Sequence, residues 1–195
     1  MFARSYKQDA VTRREFYSRF KKDINYLKGK ISEFTTNKIL RLFLPRSAVV
    51  LSNVVLKINL YSTIEIDHIV LSRSGIYLIE EKNWRGIYYC GPDMWYVRTG
   101  HNMFRPVKSP VVQHERHYRL FIRWLIKNGF GEFANFVKPV LFLNKMNIFH
   151  TEYITMSFYR FPFLFLIDFY DEYFTQKERL PEEIITRIAG KITAS

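Results

Sequence analysis

Cysteine is nearly absent. The single thiol, Cys90, excludes an intramolecular disulfide and any cysteine-based zinc cluster. Long apolar runs are absent too: the longest, Phe161 to Ile167, is interrupted by Pro162 and falls far short of the roughly 18 residues of a membrane span. The N-terminus, Met1-Phe2-Ala3-Arg4-Ser5-Tyr6, lacks the apolar core of a secretory signal, and there is no repeat, low-complexity tract or long linker. These absences predict a soluble, cytoplasmic protein without a transmembrane segment. Acid is also scarce. Lys and Arg number 30 against 18 Asp and Glu, a net +12, and residues 1–46 carry 12 bases against 4 acids. That N-terminal +8 leaves +4 for the remaining 149 residues. Such a field favours a polyanionic partner, either nucleic acid or an anionic membrane surface. What is present is a core: 48% hydrophobic and 17% aromatic residues exclude a disordered chain, and 195 residues suit one domain with additions at its ends.

The stretch from Glu65 to Lys82 organises the rest. It reads as two strands joined at Ser72-Arg73-Ser74-Gly75, and either loop length allowed by that turn pairs residues whose numbers sum to 147. Asp67 then faces Glu80, and Glu65 faces Lys82. Opposed side chains in a ladder have Cβ atoms about 4.5–5.5 Å apart, where like charges repel. Two facing carboxylates therefore imply a raised pKa on one of them, or a bound cation. Lys82 shares the face of Glu80, and Glu81 takes the other. Ile66, Val70, Tyr77 and Ile79 are expected on one face and Ile69, Leu71, Ile76 and Leu78 on the other, so the sheet should be covered on both sides.

Around this hairpin, Thr12-Arg13-Arg14-Glu15 opens an amphipathic helix over 12–27 with a basic outer face. Gly29 is expected to interrupt it before a second helix over 30–43, with Glu33 in its first turn. Residues 48–58 form a first strand. A strand pair, Ile87 to Cys90 and Met94 to Val97, turns at Gly91-Pro92-Asp93, and 98–108 reads as a basic surface loop. Ser109 caps a helix with Pro110 first, Gln113 in its opening turn and Gly129 as its stop. Lys138 to Leu143 and Phe163 to Asp168 read as short buried strands, Ile148 to Tyr159 holds one more, and 181–192 forms a closing helix with Pro181 first.

Helix, three strands, hairpin, helix, strand, with Asp on the second strand and Glu-x-Lys on the third, resembles the PD-(D/E)xK nuclease superfamily. Within it, four segments resemble the nuclease-related domain, NERD: Gly29-Lys30-Ile31-Ser32-Glu33, Ile66-Asp67-His68-Ile69-Val70, Gly75 through Glu80-Glu81-Lys82-Asn83, and Ser109-Pro110-Val111-Val112-Gln113. Lys138-Pro139-Val140-Leu141-Phe142 is similar to the family's later strand. Ser32 and Ser109 depart from its usual Gly and Asn. The resemblance implies an α/β fold with a restriction-endonuclease-like αβββαβ core, a mixed sheet flanked by helices, and extra helices at the N- and C-termini. It divides the chain into a basic extension over 1–27, a nuclease domain over 28–170 and a tail over 171–195. It further implies a divalent-metal-dependent nuclease acting on DNA rather than RNA, with Glu33, Asp67, Glu80, Lys82 and Gln113 as the catalytic set. Asp67, Glu80 and the backbone carbonyl of Glu81 would be the oxygen ligands of Mg²⁺ or Mn²⁺.

Arg98, Arg105, Lys108, Arg116, Arg119 and Arg123 are the candidates for a phosphate-backbone track. His68 reads as a core histidine. His114 and His117 share a helix face but show no third ligand, and read as surface residues. Trp84, Trp95 and Tyr96 suit either base stacking or packing at a sheet edge. A binding module without turnover and a membrane-surface or interaction role for helix 12–27 are the rival readings. Double-strand cleavage by a single such site would call for a homodimer.

Overall fold

In the computed structural model, residues 26–177 and 179–194 are described; the expected helix start at Thr12 lies outside them. The first described element, α1, is helical over 26–43 and passes through Gly29. The expected break there does not occur. One glycine in a helix costs only about 1 kcal/mol, which packing of the helix easily offsets. Glu33 therefore sits beyond the opening turn, and its position owes nothing to the helix dipole.

The main sheet is built from β1 (Val49–Asn59), β2 (Ser62–Ser72), β3 (Gly75–Lys82), β7 (Val137–Leu143) and β9 (Ser157–Tyr159), in the order β1-β2-β3-β7-β9. Its first three strands are antiparallel, whereas β7 and β9 add in parallel, so the sheet is mixed as expected. The β2–β3 register sums to 147 from Ser72–Gly75 to His68–Ile79, but pairing ends there, so the expected pairs Asp67–Glu80 and Glu65–Lys82 are not part of the ladder. The turn is tied down by Leu180, whose N–H donates to the Arg73 carbonyl at 2.8 Å.

Helices cover both faces of this sheet, the layered solution for strands that are apolar on both sides. On one side α2 (Pro110–Lys127) and α4 (Glu182–Thr193) bury Phe121, Trp124, Ile185 and Ile188 against Ile69, Leu71, Ile76 and Leu78. On the other, α1, Leu44 just beyond it and α3 (Pro162–Thr175) set Leu40, Leu44, Phe165 and Phe169 against Val70, Tyr77, Ile79 and Phe142. Ile66 is a correction. It joins Ile69 and Leu71, not Val70, because the alternation along β2 breaks at Asp67. Pairing with β1 steps from Ser52–His68 to Val54–Ile66, skipping Asp67 and Asn53, whose backbone is left-handed (φ 53°).

A second sheet, in the order β6-β5-β4-β8, joins β4 (Gly86–Tyr89), β5 (Met94–Gly100), β6 (Met103–Lys108) and β8 (Met146–Phe149). The 98–108 loop is thus the end of β5 and all of β6, a hairpin whose turn uses Asn102 at φ 55°. The stretch Ile148 to Tyr159 holds the end of β8 and all of β9, joined across a 3₁₀ turn at Thr151–Tyr153. Phe163 to Asp168 is no strand but part of α3. Short apolar runs fit either structure, and here Phe165, Leu166 and Phe169 bury one helical face on the sheet. The caps of α2 are as read: Ser109 Oγ accepts from the Val112 N–H, and Gly129 follows the helix at φ 80°. Pro181 precedes α4 as its cap and is not its first residue. No described helix is long and apolar enough to cross a membrane.

Candidate active site

Opening of the ladder at Asp67 creates the site. β2 and β3 stay paired up to His68–Ile79 and then part, so the Glu81 N–H finds the Asp67 carboxylate instead of a backbone carbonyl, donating to Oδ2 at 2.7 Å. In an extended strand a residue's N–H and C=O point to the same side, so the Glu81 carbonyl also faces the gap by Asp67. The Glu81 side chain takes the opposite face.

Glu80 is the hub. It is 2% exposed, and Oε1 accepts from both Lys82 Nζ and Gln113 Nε2, the latter at 2.8 Å. His117 Nδ1 lies 3.2 Å from Oε2. Gln113 and His117 are four residues apart on α2, one turn, so both reach down onto the same carboxylate. Glu33, from α1, is held by Lys30 Nζ at 2.8 Å; Lys30 also donates to Asn53 Oδ1 at 2.9 Å, beside the break in β1. Glu33, Asp67, Glu80, Lys82 and Gln113 all line one cleft of about 570 Å³, with Tyr26, Lys30, Glu65, Arg116 and His117 on its rim.

The two carboxylates titrate apart. Burial, reinforced by the charge of Glu80, pushes Asp67 up to about 7 against the relief given by the Glu81 N–H and Lys82. Burial would also raise Glu80, but His117 and Lys82 together bring it down to about 2. The site thus sets one firm carboxylate beside one that holds its proton well above the usual carboxylate range, as two neighbouring acids should. A cation would relieve that repulsion, and Asp67 keeps an oxygen outside its bond to Glu81. An all-oxygen donor set of this kind suits Mg²⁺ or Mn²⁺.

The family model for the nuclease-related domain, NERD, matches residues 28–144. The chain belongs to the NERD family. A protein of Bacillus anthracis described as uncharacterized is 33% identical over 110 residues, 55% of this chain and 50% of that one, so the match spans about half of the relative's length. The crystal structure of a protein of unknown function, AF1548, is similar at 17% identity and a TM-score of 0.36, over 81% of this chain and 66% of the other.

Elsewhere in this NERD protein, the basic candidates divide. Arg105 and Lys108, on β6, line a second cleft of about 1160 Å³ together with Lys28, Arg85, Lys145 and Trp84. Gly29, Lys82 and Gln113 border both clefts, so the two adjoin beside Glu80. Arg116 lies in the smaller cleft. Arg98, Arg119 and Arg123 are exposed and are absent from the walls of either. Trp95 is fully buried under the second sheet and Tyr96 is exposed on it.

Glu81 forms a separate buried network. Its Oε1 accepts from Ser32 Oγ and from Asn144 Nδ2 at 2.9 Å, and Oε2 lies 3.6 Å from His68 Nε2. His68 Nδ1 in turn meets Ser52 Oγ at 2.8 Å, which makes it a core histidine as read. The departure from glycine at Ser32 thus supplies a partner to Glu81. His114 and His117 are corrections: His114 is fully buried and His117 half-buried, and Glu80 is the third ligand-type residue beside them. The sequence held the i, i+3 spacing of the histidines, but only packing of α2 on β3 adds the carboxylate.

Proposed function

We propose that this NERD protein is a divalent-metal-dependent nuclease that hydrolyses phosphodiester bonds, with DNA as its substrate and Mg²⁺ or Mn²⁺ as its cofactor. The observation that carries this is the meeting of Glu33, Asp67, Glu80, Lys82 and Gln113 on one cleft, from α1, β2, β3 and α2. A structural salt-bridge cluster would account for Lys82 and Glu80 alone. It leaves half-buried Asp67 beside the charge of Glu80 with the Glu81 N–H and Lys82 as its only relief among the described residues.

Asp67 and Glu80 would hold the cation, with the Glu81 carbonyl facing the same gap. When bound, it supplies Lewis acidity at the phosphate and lowers the pKa of a coordinated water. Gln113 fixes the orientation of Glu80 through Oε1, so the carboxylate meets its ligand in one rotamer. Lys82 Nζ rests on that same oxygen, a short side-chain movement from a phosphate oxygen, where its charge would stabilise the charge gathering on the phosphoryl group. Glu33, held in place by Lys30, presents an acceptor for a water proton. The basic second cleft, adjoining the carboxylates, would give the polyanion a path. Arg105, Lys108 and Arg116 are its phosphate contacts.

Purified protein is incubated with plasmid and with single- and double-stranded DNA and RNA oligonucleotides, in Mg²⁺, Mn²⁺ or EDTA. Wild type should cut in either metal and not in EDTA, while Asp67→Asn and Lys82→Ala should each lose at least about a hundredfold in rate. Equal, EDTA-insensitive cutting by all three overturns the assignment, and tight binding without cutting by pure wild type makes the chain a binding module.

A further inference from the structure

We propose that His114, His117 and Glu80 form a second cation site, distinct in chemistry from the carboxylate pair, which takes a zinc-class transition ion through two imidazole nitrogens and one carboxylate oxygen. One ligand atom from each residue lies within 4.8 Å of the others. His114 is the decisive member. Its Nε2 makes two contacts, to the Leu78 carbonyl at 2.9 Å and to the Val140 N–H at 3.2 Å. In the tautomer that protonates Nε2, the shorter contact is a hydrogen bond donated to the Leu78 carbonyl. Nδ1 is then a bare lone pair, buried and without a hydrogen-bond partner among the described residues. An imidazole with one nitrogen fixed by a backbone carbonyl and the other left free is the arrangement that metal-ligating histidines adopt.

His117 is less deeply buried. Its Nδ1 is also buried and makes no well-aligned hydrogen bond, although Glu80 Oε2 is only 3.2 Å away. A plain histidine–carboxylate pair would turn the ring to close that bond. It would also leave His114 Nδ1 as an unmade buried hydrogen bond. Lys82 and Gln113 engage the opposite oxygen of Glu80, so Oε2 is the one turned to the histidines. Asp67 and Glu80 together offset the charge of Lys82 next to an incoming dication. Glu80 and His117 line the open cleft with His114 buried, and three protein ligands leave a fourth position for water. Imidazole selects zinc-class ions where carboxylate and water suit Mg²⁺ or Mn²⁺, so Glu80 would be shared by two sites of different preference.

The test is binding, and its outcome is separate from cleavage. Protein stripped with EDTA is titrated with Co²⁺, followed by visible absorption, and then with Zn²⁺ in competition, for wild type, Asp67→Asn, His117→Ala and His114→Gln. Wild type should take up one Co²⁺ with a nitrogen-ligated spectrum, displaced by Zn²⁺ but not by Mg²⁺ in roughly hundredfold excess. Asp67→Asn should keep that spectrum. His117→Ala, at a half-buried position that leaves the core packing intact, should weaken binding by at least about tenfold. His114→Gln should do the same, and if it does not fold, His117→Ala decides alone, with circular dichroism as its folding control. No Co²⁺ spectrum in wild type, an unchanged one in His117→Ala, or one lost in Asp67→Asn alone overturns the proposal. Cleavage that fails in Mg²⁺ and Mn²⁺ would overturn the nuclease reading and leave this site standing.

Discussion

Replacing Asp67 by Asn should stabilise the metal-free protein. In the folded chain burial and the neighbouring Glu80 push the Asp67 carboxyl from an ordinary 3.8 up to about 7. Since the folded state holds that proton to higher pH than the unfolded chain, ionisation costs stability. The cost is absent below about pH 4, grows through the window between the two values and is complete above pH 7. At about 1.4 kcal/mol per tenfold change in acidity it reaches on the order of 4 kcal/mol, and solvent in the cleft reduces this to about 2–4 kcal/mol. The pH profile of the wild type conceals the effect. Burial holds His114 down at about 4 from 6.5, so stability from that residue falls as pH drops through much of the same window, with the opposite sign. Glu80, lowered to about 2, loses its contribution only as pH falls below 4.5. The difference between wild type and variant isolates Asp67. Urea denaturation in EDTA, followed by circular dichroism, should find Asp67→Asn more stable by about 2–4 kcal/mol at pH 8, the gap shrinking to under about 1 kcal/mol at pH 4. A variant less stable at pH 8, or a gap equal at both pH values, would refute the picture of two crowded carboxylates.

Two further outcomes test the frame around the site. Gly75 opens β3 at φ 152°, and a Cβ there would lie 2.9 Å from the Phe136 carbonyl oxygen. Gly75→Ala should therefore cost about 1–3 kcal/mol, a fall of roughly 3–10 °C in Tm by differential scanning fluorimetry; an unchanged Tm would mean that the backbone there relaxes freely. Arg105→Ala with Lys108→Ala should lower the dependence of log binding constant on log salt by about two contacts' worth, measured by anisotropy with labelled DNA, whereas Arg119→Ala with Arg123→Ala should leave it nearly unchanged. Equal effects from the two pairs would move the track away from the second cleft.

Much of the site was legible in the chain because strand and turn geometry is local. A two-residue loop at Arg73–Ser74 sets the 147 register as far as His68–Ile79, and the period of two along β3 puts Glu80 and Lys82 on one face and Glu81 on the other. Ser109, Pro110 and Gly129 likewise mark the ends of α2 by their own backbone requirements, which places Gln113 in its first turn. Where local signals were ambiguous, they misled. Phe163 to Asp168 is too short an apolar run to separate strand from helix, and Gly29 marks a break only if the flanking turns lack packing partners.

Composition, periodicity and turn chemistry thus determined the hairpin, its crowded carboxylates and the layered α/β frame, since each depends on residues close in the chain. Tertiary structure decided the rest. It opened the β1–β2–β3 ladder at Asn53 and Asp67, turned the backbone of Glu81 into the gap, and laid α2 so that His114 and His117 meet Glu80. It brought Arg105 and Lys108 to the cleft while leaving Arg98, Arg119 and Arg123 outside it. These are distances between residues more than 30 positions apart in several cases, and they follow from which helix covers which face of the sheet, a choice no single segment makes alone.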